Sequence, residues 1–258
     1  VLYRAKPDPR LVLWDKLMGT VEKPFALEVE EEKNRYIQEA AQAFPIFLRL
    51  SDTSYEVHRS NMAHIAARYD NLAIRLALLE ALKGIKSAVR IMERKEGWET
   101  LWLYLVGRWV QEFGAELARE TADTTRSDMQ RVIDVALSAS EEFNPQQVAT
   151  RLLRVQGLSA WRARTVARTE THAAMMFASE EGTAKLGRDE SLTILKAWLP
   201  VHDERTRVNH AAMSSVAPIA MGADFVVGGV PMKRPGDPRG GAANCINCRC
   251  VLTYKEKE

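Results

Sequence analysis

From about Leu27 to Gly187 apolar residues return every three or four positions, Ala, Leu, Glu, Arg and Gln dominate, and Gly and Pro are sparse. That spacing gathers apolar side chains on one helical face, so the stretch predicts a succession of helices. Breaks are expected near Pro45 to Asp52, Gly97, Thr121 to Ser127, Asn144-Pro145 and Gly157 to Ser159. Between Asn71 and Met92, the residues Leu72, Leu76, Leu79, Leu82, Ile85 and Val89 form a stripe, read as a core-facing helix because the heptads do not persist. Asn144 ahead of Pro145 has the form of a cap followed by a first-turn proline. Ser159 opens an Ala- and Arg-rich helix, Trp161 to Gly182, closed by its glycine. Before these helices Pro7, Pro9, Gly19 and Pro24 interrupt the period around a short apolar patch (Leu11, Leu13, Trp14, Leu17). Residues 1–26 are therefore expected to be an extended docking arm.

After Gly187 the texture changes. Leu192 to Leu199 and Phe225 to Met232 are β-prone, the second run folded at Gly228-Gly229 into a hairpin. A polar segment, Asp203 to Met213, lies between them, with Asp203 expected to cap a helix. Pro/Gly-rich Pro235 to Gly241 follows, and a last strand, Arg249 to Tyr254, is expected to carry the cysteines. The predicted class is α+β: a helical region over 27–157, then a small C-terminal module over 158–258.

Composition narrows the function classes. The 258 residues carry 36 Lys+Arg against 34 Asp+Glu, a net charge of +2, and 46% are hydrophobic, which excludes a polyelectrolyte and broad disorder. No window approaches the roughly 18 apolar residues of a membrane span. The opening Val1-Leu2-Tyr3-Arg4 lacks a signal-peptide pattern, so an unsecreted protein with no membrane partner is expected. The three cysteines, Cys245, Cys248 and Cys250, are too few and too close for a disulfide framework and fit a reducing compartment.

Three clusters could carry chemistry. On the Trp161 helix, Arg164 and Arg168 share a face; with Arg151, Arg154 and Arg162 they would make a DNA-binding ridge. The plainer reading has Arg168 and Glu170 pairing with the C-terminal module. The second cluster runs from Trp198 to His210 and includes His202, Asp203 and Glu204; adjacent His202 and Asp203 side chains diverge, and His210 is either a packing residue or a metal ligand. In the third, Cys245, Cys248 and Cys250 can converge on one Zn²⁺, with His210 or His202 as the nitrogen ligand. Buried reduced thiols are the competing reading, and a second C-x-x-C is missing. There is no G-x-S-x-G, P-loop or H-E-x-x-H, and no catalytic residue is assigned.

The order of these elements resembles the phage Mu F-like minor head proteins, the head morphogenesis family of tailed bacteriophages. The resemblance rests on Ala167-Arg168-Thr169-Glu170, Trp198, Asp203-x-Arg205-Thr206-Arg207-x-x-His210, Phe225, Pro235-Gly236-Asp237-Pro238 and Cys248-Arg249-Cys250, and covers about residues 105 to 254. It implies a non-enzymatic, low-copy protein of the capsid interior, present in the host cytoplasm during assembly. Portal protein, major capsid protein and packaged DNA would be its partners. Some members carry a further toxin or enzyme domain after the shared module; none is expected in the four residues after Tyr254. The competing classes are a zinc-dependent enzyme, with Asp203 or Glu204 as base beside His210, Cys245, Cys248 and Cys250, and the DNA-binding ridge.

Overall fold

In a computed structural model of the chain, the described residues are 8–83, 85, 95–113, 116–138, 144–155 and 159–257. Among the described residues six helices come first: α1 (Pro9–Phe47), α2 (Asp52–Lys83), α3 (Lys95–Glu112), α4 (Glu116–Ser138), α5 (Pro145–Arg154) and α6 (Ser159–Asp189). Short elements follow: β1 (Ile194–Leu199), α7 (Val208–Ala211), β2 (Ile219–Ala220), β3 (Phe225–Val227), β4 (Val230–Met232), α8 (Gly241–Cys245) and β5 (Val251–Glu256). The class is α+β, as the change of period at Gly187 predicts.

The expected arm over residues 1–26 is instead helical from Pro9 onward. Pro9 takes the first helical position, where its missing N–H costs nothing, and the Asp8 carboxylate accepts the Arg10 N–H at 2.9 Å. Pro24 and Pro45 lie inside α1 and each removes a backbone bond, at roughly 3 kcal/mol in a helix interior. A buried stripe runs through them, from Trp14, Met18, Val21, Phe25 and Val29 to Tyr36, Ala40 and Phe44. Full burial of a large apolar side chain stabilises by about 1.5–3 kcal/mol, so the stripe outweighs the prolines.

Other boundaries also move. Thr121 to Ser127 sits in the middle of α4, where Thr124 and Thr125 turn their hydroxyls back to the carbonyls of Glu120 and Thr121 (2.7 and 2.9 Å) and so stay helical. Gly182 does not end α6. It lets α2 and α3 approach: a Cβ there would stand 2.3 Å from Leu78 Cδ1 and 3.3 Å from Leu105 Cδ1. The inward face of α2 is Ala73, Ile74, Ala77, Leu78, Ala81 and Leu82, whereas Leu72 of the predicted stripe is exposed. Gly97 lies just inside α3. Val89, Met92 and Gly157 fall outside the described residues.

The expected cap before Pro145 is present. Asn144 Oδ1 accepts the N–H groups of Gln146 and Gln147 at 2.9 and 3.2 Å. Asn144→Ala is expected to lower stability by about 1 kcal/mol, read as a lower midpoint in urea; an unchanged midpoint would show that the cap contributes nothing.

In place of a linear partition at 26 and 157, contacts divide the chain into two interleaved units. One comprises Glu22–Tyr69 and Glu112–Ala167. Its core joins Tyr36, Ile37 and Phe44 of α1 to Met129 and Ile133 of α4 and Val148 and Leu152 of α5. Burial alone would raise the Glu32 carboxyl, but hydrogen bonds from His58 and Arg35 outweigh it and hold it near about 2.

The other unit gathers the chain through Val21, Asp70–Gln111 and Arg168–Glu258. Its sheet has the order β2-β1-β5, antiparallel throughout, with Ile194 opposite Glu256 and Leu199 opposite Val251. The β3-β4 hairpin turns at Gly228 and Gly229, whose φ of +60° and +84° is what a tight two-residue turn demands. Between Glu170 and Glu180 of α6 all residues but Ala173 are buried, so this stretch is wrapped on every side and carries polar groups into the core.

Candidate metal centre

Thr206 donates its hydroxyl to the Val201 carbonyl, and the Asp203 carboxylate accepts from the Arg205 N–H (3.1 Å) and the Thr206 hydroxyl (3.0 Å). Asp203 therefore closes a turn and does not cap the expected helix; α7 starts later, at Val208, without a side-chain cap. Both Asp203 oxygens also take the Arg249 guanidinium fork at 2.7 Å. That hydrogen bond, more than any other contact, holds the Asp203 carboxyl well below the usual range. Arg249 separates Cys248 from Cys250, so the fork ties the turn leading to His210 directly to the cysteine loop.

Further ties join the same segments. Arg207 Nη2 donates to the Ile246 carbonyl at 2.6 Å, and Asn209 Nδ2 donates to Asn244 Oδ1 at 2.8 Å. From α6, the Thr169 hydroxyl accepts the Asn247 N–H (3.3 Å) and His172 Nε2 meets the Cys250 carbonyl (2.8 Å). Complete burial lowers the His172 pKa, so the neutral ring donates from Nε2 to that carbonyl. Gly236, at φ +73°, packs on this ring, where a Cβ would lie 2.9 Å from Nδ1.

At the centre stand His210, Cys248 and Cys250, whose ligand atoms lie within 4.8 Å of one another. They are 1%, 2% and 3% exposed. His210 Nδ1 is 3.6 Å from Cys248 Sγ and 3.4 Å from Cys250 Sγ. Trp198 closes one wall, edge-on to His210 and to Phe225 at centroid distances of 5.6 and 5.5 Å. The cysteines precede β5 and do not lie in it, so strand alternation does not set their directions. The hydrogen bond between the two thiols holds Cys250 below the ordinary thiol value and Cys248 above it.

Of the four predicted ligands, three converge. Cys245 instead donates its S–H to the Asp237 carbonyl at 2.9 Å, and its thiol is pushed up to about 11 chiefly by burial. His202 and Glu204 are exposed. The proposed base Asp203 is engaged by Arg249, and the ligands are sealed from solvent, an arrangement suited to holding a metal and not to presenting one to a substrate.

Glu170 lies in the buried stretch of α6. It meets Asp70 of α2, which also accepts the Trp109 indole N–H at 2.8 Å. Arg205 is exposed beside Asp203 at 3.7 Å. In the proposed DNA ridge, Arg162 is bonded to the buried Asp128, while Arg151, Arg154 and Arg164 are exposed. Sequence reasoning missed His172, Asn244, Glu180, Lys196 and Arg234. Asn244 beside Cys245 and His172 two residues after Glu170 were the available signals, since both adjoin motifs already singled out.

Over 123 residues the sequence is 36% identical to the minor head protein GP7 of Bacillus phage SPP1. The chain is similar to a phage minor head protein. The match covers 46% of this chain and 37% of that head protein's length. No family model matches the sequence, and no solved structure matches it. Among the described residues, no helix is long and apolar enough to cross a membrane.

Proposed function

We propose that this chain is a minor head protein of a tailed phage or phage-like particle, internal to the capsid and associated with the portal. There it assists head assembly, in contact with portal protein, major capsid protein and the packaged DNA, after passing through the host cytoplasm. The observation that carries this reading is the 36% identity to the minor head protein of phage SPP1. The ordered motif set from Ala167 to Cys250 supports placing it with the Mu F-like proteins. The structure adds a physical role for that set: Thr169, Asp203, Arg207 and His210 are the residues that bind the cysteine loop in place. A near-neutral module held by such ties suits a rigid docking part more than a catalyst.

Quantitative mass spectrometry of nuclease-treated particles tests the reading. The chain is expected in procapsids and mature particles at a small, reproducible fraction of the shell protein. Its absence from both would overturn the assignment.

A further inference from the structure

We propose that His210, Cys248 and Cys250, completed by Cys245, form a closed structural zinc site that locks the turn after β1 to the loop before β5. The distances carry the argument. Zinc bound tetrahedrally to nitrogen at about 2.0–2.1 Å and to sulfur at about 2.3 Å places those two ligands about 3.6 Å apart. His210 Nδ1 stands 3.6 and 3.4 Å from the two sulfurs, close to the separation that zinc requires, and all three ligand atoms lie within 4.8 Å of one another.

The surroundings select the right forms of the ligands. Asn244 Nδ2 donates to the Gly240 carbonyl (3.1 Å), which identifies its Oδ1 as the acceptor facing His210 Nε2 at 3.3 Å. Nε2 therefore carries the proton and Nδ1 turns its lone pair to the sulfurs, the arrangement by which an outer hydrogen bond fixes a metal-binding imidazole. Trp198, edge-on to the imidazole, brings a buried Nε1–H with no hydrogen-bond partner to the same wall. Softness of the donor set, two or three thiolates and one imidazole, points to zinc over calcium or magnesium.

A buried structural site needs a fourth donor, and Cys245 packs against the same cluster. It begins a turn closed by the Cys248 N–H on the Cys245 carbonyl (3.1 Å), with Ile246 extended and Asn247 at φ +56°. Such a type II turn keeps the Cα atoms of Cys245 and Cys248 within about 7 Å, and the closed site requires the Cys245 side chain to rotate away from the Asp237 carbonyl towards the other three ligands. Binding releases the thiol protons to solvent, and zinc undergoes no redox change.

The test uses the purified full chain, without a histidine tag, and so does not depend on the head assignment. About one zinc per chain is expected by elemental analysis. Cobalt(II) added after chelation is expected to give thiolate charge-transfer absorption and tetrahedral ligand-field bands, weakened in Cys245→Ser and lost in Cys250→Ser and His210→Ala. Because those variants can also fail to fold, the unaltered chain is alkylated with iodoacetamide, with and without Zn²⁺, and mapped by peptide mass. Protection of all three cysteines by Zn²⁺ supports the site. No stoichiometric zinc together with equal alkylation in both conditions overturns it, and protection of Cys248 and Cys250 without Cys245 overturns the closed four-ligand form.

Discussion

Glu180→Ala is expected to destabilise the unit that contains it by about 3–5 kcal/mol, the usual cost of stranding a buried ionic partner. Glu180 is 3% exposed on α6. One carboxylate oxygen takes Lys196 Nζ at 3.0 Å, the other takes Arg234 Nη1 at 3.2 Å. Lys196 has no solvent exposure; it also reaches the Lys233 carbonyl at 2.8 Å and sits over the Phe225 ring. Removing the carboxylate leaves two buried cations with one negative partner fewer. Glu180→Gln, which keeps the shape and one acceptor, should fall between. Urea unfolding followed by tryptophan fluorescence reads this directly, since Trp109 and Trp198 belong to the same unit. An alanine variant with the parental midpoint would show that the network adds nothing.

The second large effect has the opposite sign. Burial raises the Asp70 pKa to about 7, against hydrogen bonds from Trp109 and Glu170 that lower it. The folded value lies above the unfolded one, so between about pH 4 and pH 7 the folded chain holds a proton that the unfolded chain has released. Stability from this group is therefore complete in acid and declines as pH rises through that window. Asp70→Asn keeps an acceptor oxygen but cannot ionise. It should match the parent below about pH 4 and exceed it by about 2–4 kcal/mol at pH 8. Denaturant midpoints measured from pH 4 to pH 8 check this; parallel curves for parent and variant would remove Asp70 as the source.

How much of this was legible depends on the range of the interaction. The β3-β4 hairpin could be read because its glycines and flanking β-branched residues are local, and Asn144-Pro145 for the same reason. The prolines of α1 misled because their penalty is local while the stripe from Trp14 to Phe44 that overrides it is bound by tertiary packing. Gly182 read as a helix end because only the approach of Leu78 shows why a glycine is needed inside. Lys196 occupies an inward position of a strand whose alternation calls for apolar residues, and nothing near it in sequence announces Glu180 or Arg234. At the candidate metal centre the ligand types were visible, but their arrangement was not: Cys248 and Cys250 already face His210, Cys245 is turned to the Asp237 carbonyl, and Asn244 fixes the imidazole.

The ties around His210 also set the timetable of folding. Asp203 and Arg249 are 46 residues apart, His210 and Cys250 are 40, and His172 and Cys250 are 78. Each tie must wait for a long loop to close, and contacts of such separation form slowly compared with the helices before them. During that wait the thiols of Cys248 and Cys250, sheltered in the finished fold, face solvent and oxidants. Recovery of the chain from denaturant should accordingly depend on reductant in the first moments of refolding and become indifferent to it afterwards.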